Sequence, residues 1–226
     1  MKKYALLGAG KTGGKVLELV NEQEEVIVFN TQNPPTLDKL TEVDAVISFL
    51  PGPAFLEYLD LLIESGKPVI TGSTGFDWPV DTEEKLKKKN STWIKTHNFA
   101  LGMNVIRPMI EYLQMAGNLF PEAKYKMHEV HHTKKLDAPS GTALSWKDWL
   151  DRPVEITHDR IGDVVGDHEL TIRTEFEEIT IKHRSLDRKI FASGALWATR
   201  YLLENQVEAG LHPLEVIAKK RMQESL

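Results

Sequence analysis

A fifteen-residue segment that begins at Glu129 contains two adjacent imidazoles and two ammonium groups. Because histidine exchanges protons near neutral pH, His131 and His132 can act as acids or bases. Lys134 and Lys135 add fixed positive charge beside them. This combination is typical of a catalytic site for an anionic substrate, although paired histidines beside lysines also occur in loops that only face water.

The same segment ends in a helix-start signal. It consists of Pro139, Ser140, Gly141 and Thr142, which open a stretch with apolar residues at helical spacing. The Ser140 side chain can cap this helix, and the first backbone N–H groups of the helix can bind a carboxylate or phosphate. The alternative interpretation is a cap without a ligand.

Composition limits the classes of protein to which the chain can belong. With 226 residues it is long enough for one large or two small domains. A formal net charge of -5 argues against nonspecific nucleic-acid binding, which needs a basic surface. The chain has no cysteine, which excludes disulfides and zinc–thiolate sites and fits a cytoplasmic protein. We expect no signal peptide and no membrane span.

Strands and helices alternate in the first part of the chain, which predicts a parallel sheet. The predicted strands are 4–7, 26–29, 44–49, 68–71 and 92–96. The predicted helices are 15–21, 54–65, 83–90 and 105–116. This alternation favours a Rossmann-like sheet.

The pattern changes in the second half of the chain. An extended strand is predicted at 123–132. Apolar and polar residues alternate over 169–185, which predicts antiparallel strands with one solvated face. Helical spacing returns at 194–205 and 213–222.

These patterns divide the chain into two domains. Residues 1–103 and 194–226 are predicted to form a dinucleotide-binding domain, onto which the C-terminal helical segment packs back. Residues 104–193 are predicted to form an inserted α+β domain with a mixed or antiparallel sheet. The predicted fold class is therefore α/β, with a Rossmann-like parallel-sheet domain and a second, inserted domain.

A glycine-rich turn follows the first predicted strand and fits the pattern G-x-G-x-x-G. It consists of Gly8, Ala9, Gly10, Lys11, Thr12 and Gly13. Without Cβ atoms the backbone can approach a pyrophosphate, which the N-terminus of the following helix would stabilise. We therefore predict cofactor binding here, in preference to a tight turn with a structural role only.

Asn30 ends the second predicted strand, where an acidic residue would usually bind the adenosine ribose. Asparagine can bond a hydroxyl without repelling a phosphate, and Lys11 or Thr12 is available to a 2′-phosphate. We therefore expect the protein to accept both NADH and NADPH. A preference between their Michaelis constants beyond about a hundredfold, or about 2.7 kcal/mol, would contradict this expectation.

The segment from His131 to Ala143, His-His-x-x-Lys-x-Asp-Ala-Pro-Ser-Gly-Thr-Ala, resembles the signature of the 4-hydroxy-tetrahydrodipicolinate reductase (dihydrodipicolinate reductase) family. Further segments similar to the family are 72–76, 98–104, 160–168 and 191–195. The resemblance implies an NADH- or NADPH-dependent reductase of a cyclic imine with two carboxylates, in lysine and diaminopimelate biosynthesis. It also implies a homotetramer joined through the sheets of the second domain, which would explain the apolar alternating strands there.

The resemblance further implies roles for individual residues. His131 would be the acid/base group and Lys135 the proton donor, and a bound dianion would raise the pKa of His131. The substrate would be held by His132, Ser140, Gly141 and Thr142. The cofactor would be bound by the loop from Gly8 to Gly13 and by Gly72, Ser73, Thr74, Thr96, His97, Asn98 and Phe99.

Some positions depart from the family pattern. Ser48 and Leu50 replace an aspartate and a threonine or serine, and Trp197 stands where many members have an arginine near a substrate carboxylate. The arginines that could replace this charge are Arg184, Arg188 and Arg200. The sequence does not choose between them.

A metal site is an alternative use of the paired histidines. Neighbouring side chains in a strand point to opposite faces, so His131 and His132 would not share one ion. Glu129 on the His131 face makes a site conceivable, but the other histidines lack ligand spacing. We predict no metal and assign packing or surface roles to His97, His128, His158, His168, His183 and His212.

Two other functions remain open. One is a different two-domain NAD(P)-dependent reductase, such as an amino-acid or sugar dehydrogenase, which the central motif disfavours. The other is a nicotinamide-binding protein without catalysis. Trp197 and Ser48 favour this second alternative, whereas the joint presence of His131 and Lys135 favours an active enzyme.

Overall fold

The computed structural model describes residues 1–224. It separates the chain into two units, the first formed by Met1–Ala100 with the chain from Lys189 onward and the second by Leu101–Arg188. The strands are β1 (Lys2–Leu7), β2 (Glu24–Phe29), β3 (Ala45–Ser48), β4 (Val69–Thr71), β5 (Thr92–Lys95), β6 (Lys124–His131), β7 (Glu155–Arg160), β8 (Gly166–Arg173), β9 (Glu178–Ser185) and β10 (Gly210–Pro213). The helices are α1 (Leu37–Thr41), α2 (Gly52–Ser65), α3 (Thr82–Lys88), α4 (Gly102–Ala116), α5 (Gly141–Leu150), α6 (Lys189–Glu204) and α7 (Leu214–Gln223). No helix within the described range has the length and apolar character needed to span a membrane.

Six parallel strands form the sheet of the first unit, in the order β10-β5-β4-β3-β1-β2. The chain passes from β2 across β1 to reach β3, so the strand order reverses beside β1. Ligands of open parallel sheets bind at such a switch point, outside the carboxyl ends of the strands. The prediction of a Rossmann-like parallel sheet is confirmed.

Both faces of this sheet are buried, which explains why its strands are apolar runs. On one face, Ala5 and Leu7 join a core to which α2 contributes Phe55. The intervening side chains point to the other face. There Leu6 and Ile70 are fully buried, and α6 packs on β3 and β4. Packing from both sides therefore fixes the carboxyl ends of the strands.

The predicted helix at 15–21 is wrong. After the glycine loop the chain forms a short 3-10 turn, Gly13–Lys15, followed by further turns. Several of its hydrogen bonds join residues three apart, such as the 3.0 Å bond from the Lys15 N–H to the Thr12 carbonyl. Of the apolar residues that suggested a helix, only Val16 is buried, so packing does not stabilise a longer one. The predicted stabilisation of a pyrophosphate by a helix N-terminus loses its basis.

The second unit contains a four-stranded sheet in the order β7-β6-β8-β9. Strand β6 pairs parallel with β7 and antiparallel with β8, and β8 pairs antiparallel with β9. The predicted mixed sheet is confirmed. Strand β7 itself was not predicted, because it is a largely exposed edge strand without apolar alternation. The short elements α1 and β10 were also missed.

The apolar residues of the antiparallel pair β8 and β9 face the interior of the second unit. Leu170, Ile172 and Ile181 are at most 8% exposed. On the opposite face Glu169 forms an ion pair with Lys182 at 2.8 Å. The prediction that these antiparallel strands expose one face to solvent is confirmed. The alternating apolar residues pack into the core of the second unit, so a subunit interface is not needed to explain them.

Candidate active site

Glu129 and His131 lie two residues apart on β6, so both side chains point to the inner face of the sheet. Glu129 stands opposite His168 of β8 in the antiparallel register. The exposed fractions are 0% for Glu129, 7% for His131 and 4% for His168. The sheet thus gathers a carboxylate and two imidazoles away from water. The sequence predicted only a packing or surface role for His168, because strand register cannot be derived from residue spacing.

Ser140 and Arg160 hold the carboxylate of Glu129. The Ser140 N–H lies 3.1 Å from each carboxylate oxygen, and Nη2 of Arg160 lies 3.1 Å from Oε1. Burial raises the pKa of Glu129, but the hydrogen bonds from Ser140 and Arg160 outweigh burial and bring the pKa below its ordinary value. Glu129 is therefore ionised at neutral pH. Arg160, for which the sequence suggested no role, is its counter-ion.

The imidazole of His131 lies beside this carboxylate. Its Nδ1 is 3.8 Å from Oε2 of Glu129, and its ring packs edge-on against His168 with a centroid distance of 5.0 Å. Burial lowers the pKa of His131; Glu129 opposes this effect, and the nearby cations Lys135 and Arg160 add to it. His131 is therefore mainly neutral in the protein without substrate. Its protonation at neutral pH requires added negative charge, such as that of a bound dianion.

Lys135 lies on the loop between β6 and α5, where the structure gives it a partner. Its Nζ donates to both carboxylate oxygens of Asp137, at 2.8 and 2.7 Å. This hydrogen bond from Lys135 holds the pKa of Asp137 below its ordinary value. Arg160 fixes the loop by donating to the backbone carbonyls of Lys135 and Asp137. The backbone carbonyl of His132, a half-buried residue, accepts from the Lys135 N–H at 3.0 Å. The ammonium group is therefore held in place before any substrate binds.

The start of α5 presents free backbone donors. The Ser140 hydroxyl caps the helix by accepting from the Ala143 N–H at 3.2 Å, as predicted. It also lies 3.1 Å from Nε2 of His168, so this hydroxyl is engaged inside the protein. Gly141 and Thr142 are the first helical residues, whose N–H groups helical bonding leaves free. No atom lies within 4 Å of the Cβ position of Gly141, so an anion can approach its backbone.

Glu129, His131 and His168 also form a group of metal-binding residue types. Their potential ligand atoms all lie within 4.8 Å of one another. However, Arg160 and Lys135 already act against positive charge at His131. A divalent cation would meet the same repulsion, which disfavours metal binding here. The expectation that the protein uses no metal stays a prediction.

The buried imidazole of His168 predicts a loss of stability in acid. Burial lowers the pKa of His168 to about 4, and the neighbouring His131 and His183 contribute to the shift. Because the unfolded chain takes up this proton near pH 6.5, the contribution of His168 is fully present above that pH. As the pH falls to 4, the free energy of unfolding should decrease by up to about 3 kcal/mol through this group.

Denaturant titrations from pH 7 to 4 measure this loss. His168→Gln should show a weaker dependence of the unfolding free energy on pH than the unmodified protein. His158→Gln, on the exposed edge strand β7, is the matched control and should leave the dependence unchanged. Equal slopes for the His168 variant and the unmodified protein would refute the assignment.

The glycine loop after β1 fits a dinucleotide by its geometry. Gly8 has φ +87°, and a Cβ on it would lie 2.8 Å from the carbonyl carbon of Phe49. A Cβ on Gly13 would overlap the carbonyl oxygen of Gly8. These two glycines pack the loop against the end of β3. Nothing lies within 4 Å of the Cβ position of Gly10, so its backbone is open to a phosphate group.

The other predicted cofactor residues lie at the carboxyl ends of β4 and β5. Phe49 and Phe99 contact each other edge-on at 5.7 Å, and a Cβ on Gly72 would lie 3.2 Å from both rings. The Ser73 hydroxyl is buried 3.4 Å from that of Ser48. The Asn98 N–H donates to the hydroxyl of Thr96, which fixes the loop after β5. A cavity of about 300 Å³ is lined in part by Ser73, Thr74, Thr96 and His97. The structure therefore brings these two predicted segments together.

Asn30 follows β2 and uses its side chain in a turn. Its Oδ1 accepts from the N–H groups of Gln32 and Asn33, both at 2.9 Å. Only the amide NH₂ of Asn30 remains for a ligand, and a donor suits a 2′-phosphate as well as a hydroxyl. This geometry supports the expected use of both NADH and NADPH.

The cofactor preference should change in Asn30→Asp. A second negative charge at this position repels a 2′-phosphate, so the ratio of kcat/KM for NADPH to that for NADH should fall at least about tenfold, or about 1.4 kcal/mol. Steady-state rates with each cofactor measure the ratio. Asn21→Asp adds the same charge before β2, at the opposite end of the same strand, and should leave the ratio unchanged. An unchanged ratio in Asn30→Asp would show that position 30 does not face the adenosine ribose.

Two of the three arginines considered for a substrate carboxylate are paired within the protein. Arg200 donates to both oxygens of Glu24 at 2.7 Å, and Arg184 is paired with a carboxylate across the sheet at 2.9 Å. Both guanidinium groups are engaged. Trp197, at the position where the family pattern has an arginine, stacks on Tyr201 with a centroid distance of 5.4 Å.

The sequence has relatives with a shared name. A family model described as dihydrodipicolinate reductase, C-terminus, matches residues 102–216. A 4-hydroxy-tetrahydrodipicolinate reductase of Haloarcula marismortui is 30% identical over 237 residues, 90% of this chain and 94% of that protein. A reductase of the same name from Thermosipho africanus is 38% identical over 137 residues, 61% of this chain and 60% of that protein. The residues around His131 lie inside the segment that the family model matches.

The fold is similar to that of a known structure. A dipicolinate-bound dihydrodipicolinate reductase from Paenisporosarcina sp. TG-14 superposes with a TM-score of 0.77 and 21% sequence identity. The superposition covers 96% of this chain and 99% of that chain. The likeness therefore extends over both units of the fold.

Proposed function

Since this chain belongs to the dihydrodipicolinate reductase family, we propose that it reduces a cyclic imine dicarboxylate with NADH or NADPH. It converts the dihydrodipicolinate-type imine derived from 4-hydroxy-tetrahydrodipicolinate to tetrahydrodipicolinate, in lysine and diaminopimelate biosynthesis. The observation that carries this function is the buried Glu129–His131 pair beside the held ammonium group of Lys135. These groups are suited to an anionic substrate that needs a proton.

The reduction adds a hydride to one carbon of the conjugated imine and a proton to its neighbour. The nicotinamide cofactor, when bound, supplies the hydride. The second unit supplies the remaining groups. The N–H groups of Gly141 and Thr142 and the ammonium of Lys135 bind the carboxylates. His131 gives the proton, and Lys135, to which the resemblance assigned proton donation, acts in this proposal through its charge.

Charge explains how His131 comes to hold that proton. Burial and two cations keep it neutral in the free protein, so it does not attract a competing anion. A substrate with two carboxylates brings enough negative charge to raise its pKa again. The proton is therefore held at His131 when the substrate is bound.

The first unit is the cofactor domain in this proposal, and the second unit binds the substrate. The cofactor is bound by Gly8, Ala9, Gly10, Lys11, Thr12, Gly13, Asn30, Gly72, Ser73, Thr74, Thr96, His97, Asn98 and Phe99. His132 and Ser140 belong to the substrate-binding residues of the second unit. Ser140 contributes through its N–H, which donates to the carboxylate of Glu129. Open backbone at Gly10 and the cavity beside Ser73 support this division.

We propose a homotetramer in the cytoplasm. The open face of the mixed sheet carries paired charges such as Glu169 and Lys182, which suit a polar interface between copies of the second unit. The absence of cysteine from the sequence fits a reducing compartment. The mass of the protein in solution tests the oligomeric state.

A single assay tests the function. Oxidation of NADH and NADPH is followed by absorbance after addition of the freshly generated dehydratase product, with ordinary 2-oxo acids as controls. We expect oxidation only with the dehydratase product. Turnover of 2-oxo acids instead would favour another dehydrogenase, and cofactor binding without any turnover would favour a protein that has lost catalysis.

A further inference from the structure

We infer that Glu129 is the positioning residue for His131, fixing its ring so that Nδ1 faces the carboxylate and Nε2 faces the substrate. The inference rests on the proposed function, in which His131 gives a proton. Glu129 itself is fully buried and cannot reach a ligand in solvent. Its effect on the reaction therefore passes through the groups that it contacts.

Hydrogen bonds fix the position of the Glu129 carboxylate. Its two oxygens accept from the Ser140 N–H at the start of α5, and Oε1 also accepts from Arg160 of β7. Three elements of the second unit thus converge on one side chain. Oε2 lies 3.8 Å from Nδ1 of His131 and 3.7 Å from Nε2 of His168.

The two nitrogens of His131 have different surroundings. Nδ1 is buried, and among residues 1–224 it has no hydrogen-bond partner, so the carboxylate at 3.8 Å is the acceptor available to it. Nε2 lies beside Gly166, where a Cβ would come within 3.0 Å. The missing side chain at Gly166 leaves room next to Nε2. The ring therefore presents Nε2, and not Nδ1, for proton transfer.

The charged and titratable groups around His131 come from every neighbouring strand and from the adjoining loop. They are Glu129 of β6, Arg160 of β7, His168 of β8, and Lys135 and Asp137 of the loop. His168 is neutral above pH 5 because burial lowers its pKa to about 4. Of the two carboxylates, Glu129 does more than Asp137 to favour an imidazolium at His131.

The proton balance of the step follows from this orientation. Protonated His131 carries one proton on each nitrogen, and its Nδ1 faces Oε2 of Glu129 at 3.8 Å. The Nε2–H bond breaks as the proton adds to the carbon next to the one that receives the hydride. Neutral His131 keeps the Nδ1 proton, and Nε2 takes up a new proton from water before the next turnover.

The test is Glu129→Gln, which keeps the size of the side chain and removes its charge. The descending alkaline limb of the kcat profile should move to lower pH by about one unit, because less imidazolium remains. At pH 7.5 kcat should fall by up to about tenfold, the limit set by a shift of one unit, with KM changed less than about threefold. NMR titration of His131 in the protein without substrate should show a lower pKa in the variant.

Glu175→Gln is the matched control, because it makes the same change at an exposed position in the turn between β8 and β9. It should leave the pH profile and the His131 titration unchanged. If Glu129→Gln does not fold, Glu129→Asp keeps the charge but moves it away from Nδ1, and the same shift should appear at a smaller size.

A merely structural role for Glu129 would lower kcat equally at all pH values and leave the NMR titration of His131 in place, and this result would overturn the inference. Failure of the proposed function is distinguishable. In that case the unmodified protein does not reduce the imine, whereas the NMR comparison still decides whether Glu129 controls His131.

Discussion

His131→Gln is expected to lower kcat by about 10²- to 10⁴-fold, the usual contribution of a positioned acid. The affinity for NADH or NADPH should stay within about threefold, because the glycine loop belongs to the first unit and His131 to the second. Steady-state kinetics give the first quantity, and fluorescence titration with the cofactor gives the second.

His128→Gln is the control for this variant. His128 lies on the same strand but on the opposite face, where it contacts Thr157 at 2.9 Å. Its replacement should leave kcat and cofactor affinity near their original values. If cofactor affinity in His131→Gln fell as much as the rate, the segment around His131 would be structural and its proposed chemistry would be wrong.

Lys135→Met is expected to reduce kcat/KM for the imine by about 10²-fold, with a rise in KM. Methionine keeps the length of the side chain but removes the charge that pairs with a substrate carboxylate, and such charge-assisted bonds contribute about 1.5–3 kcal/mol. The neighbouring Asp137 also loses its partner, so its negative charge would repel the dianion. Rates measured over a range of substrate concentrations separate KM from kcat.

Lys134→Met is the matched control, since Lys134 is an exposed neighbour on the same loop. It should change kcat/KM by less than about threefold. A loss as large as that in Lys135→Met would mean that the general positive charge of the loop matters, and that Lys135 has no special position.

His131→Gln and Lys135→Met should differ in which kinetic constant changes. His131→Gln removes a group that acts in proton transfer, so its effect belongs mainly to kcat. Lys135→Met removes a group that binds the ground state and the transition state, so its effect includes KM. The same split in both variants would argue against separate roles.

Local patterns predicted much of the fold. Ser140 was expected to cap a helix and does so through the Ala143 N–H, because capping depends on residues within one turn. The helix that ends before Gly66 is also correct, since Gly66 adopts φ +65° in the left-handed region that glycine allows. Parallel strands followed from their alternation with helices.

Short elements with weak patterns were harder to predict. The segment 15–21 has apolar residues at helical spacing, but it forms a 3-10 turn because only Val16 finds a place in the core. Strand β7 was missed for the opposite reason, because it forms without any apolar pattern. Its residues are mostly exposed, and it is a strand because it pairs with β6, which no local pattern records.

Some site residues can be identified from the sequence alone: His131, Lys135 and the glycines of the loop after β1. Each group lies close together within one segment of the chain, so local residue types and spacing identify it. Their surroundings cannot be identified in this way. Glu129 meets His168 through the register of β6 and β8, and Arg160 reaches Glu129 from β7, across thirty-one positions of the chain. These contacts set the charge and burial at His131, and they arise because folding brings distant strands side by side. Pairing across strands has no periodic signature in the sequence, whereas caps, tight turns and helix ends do.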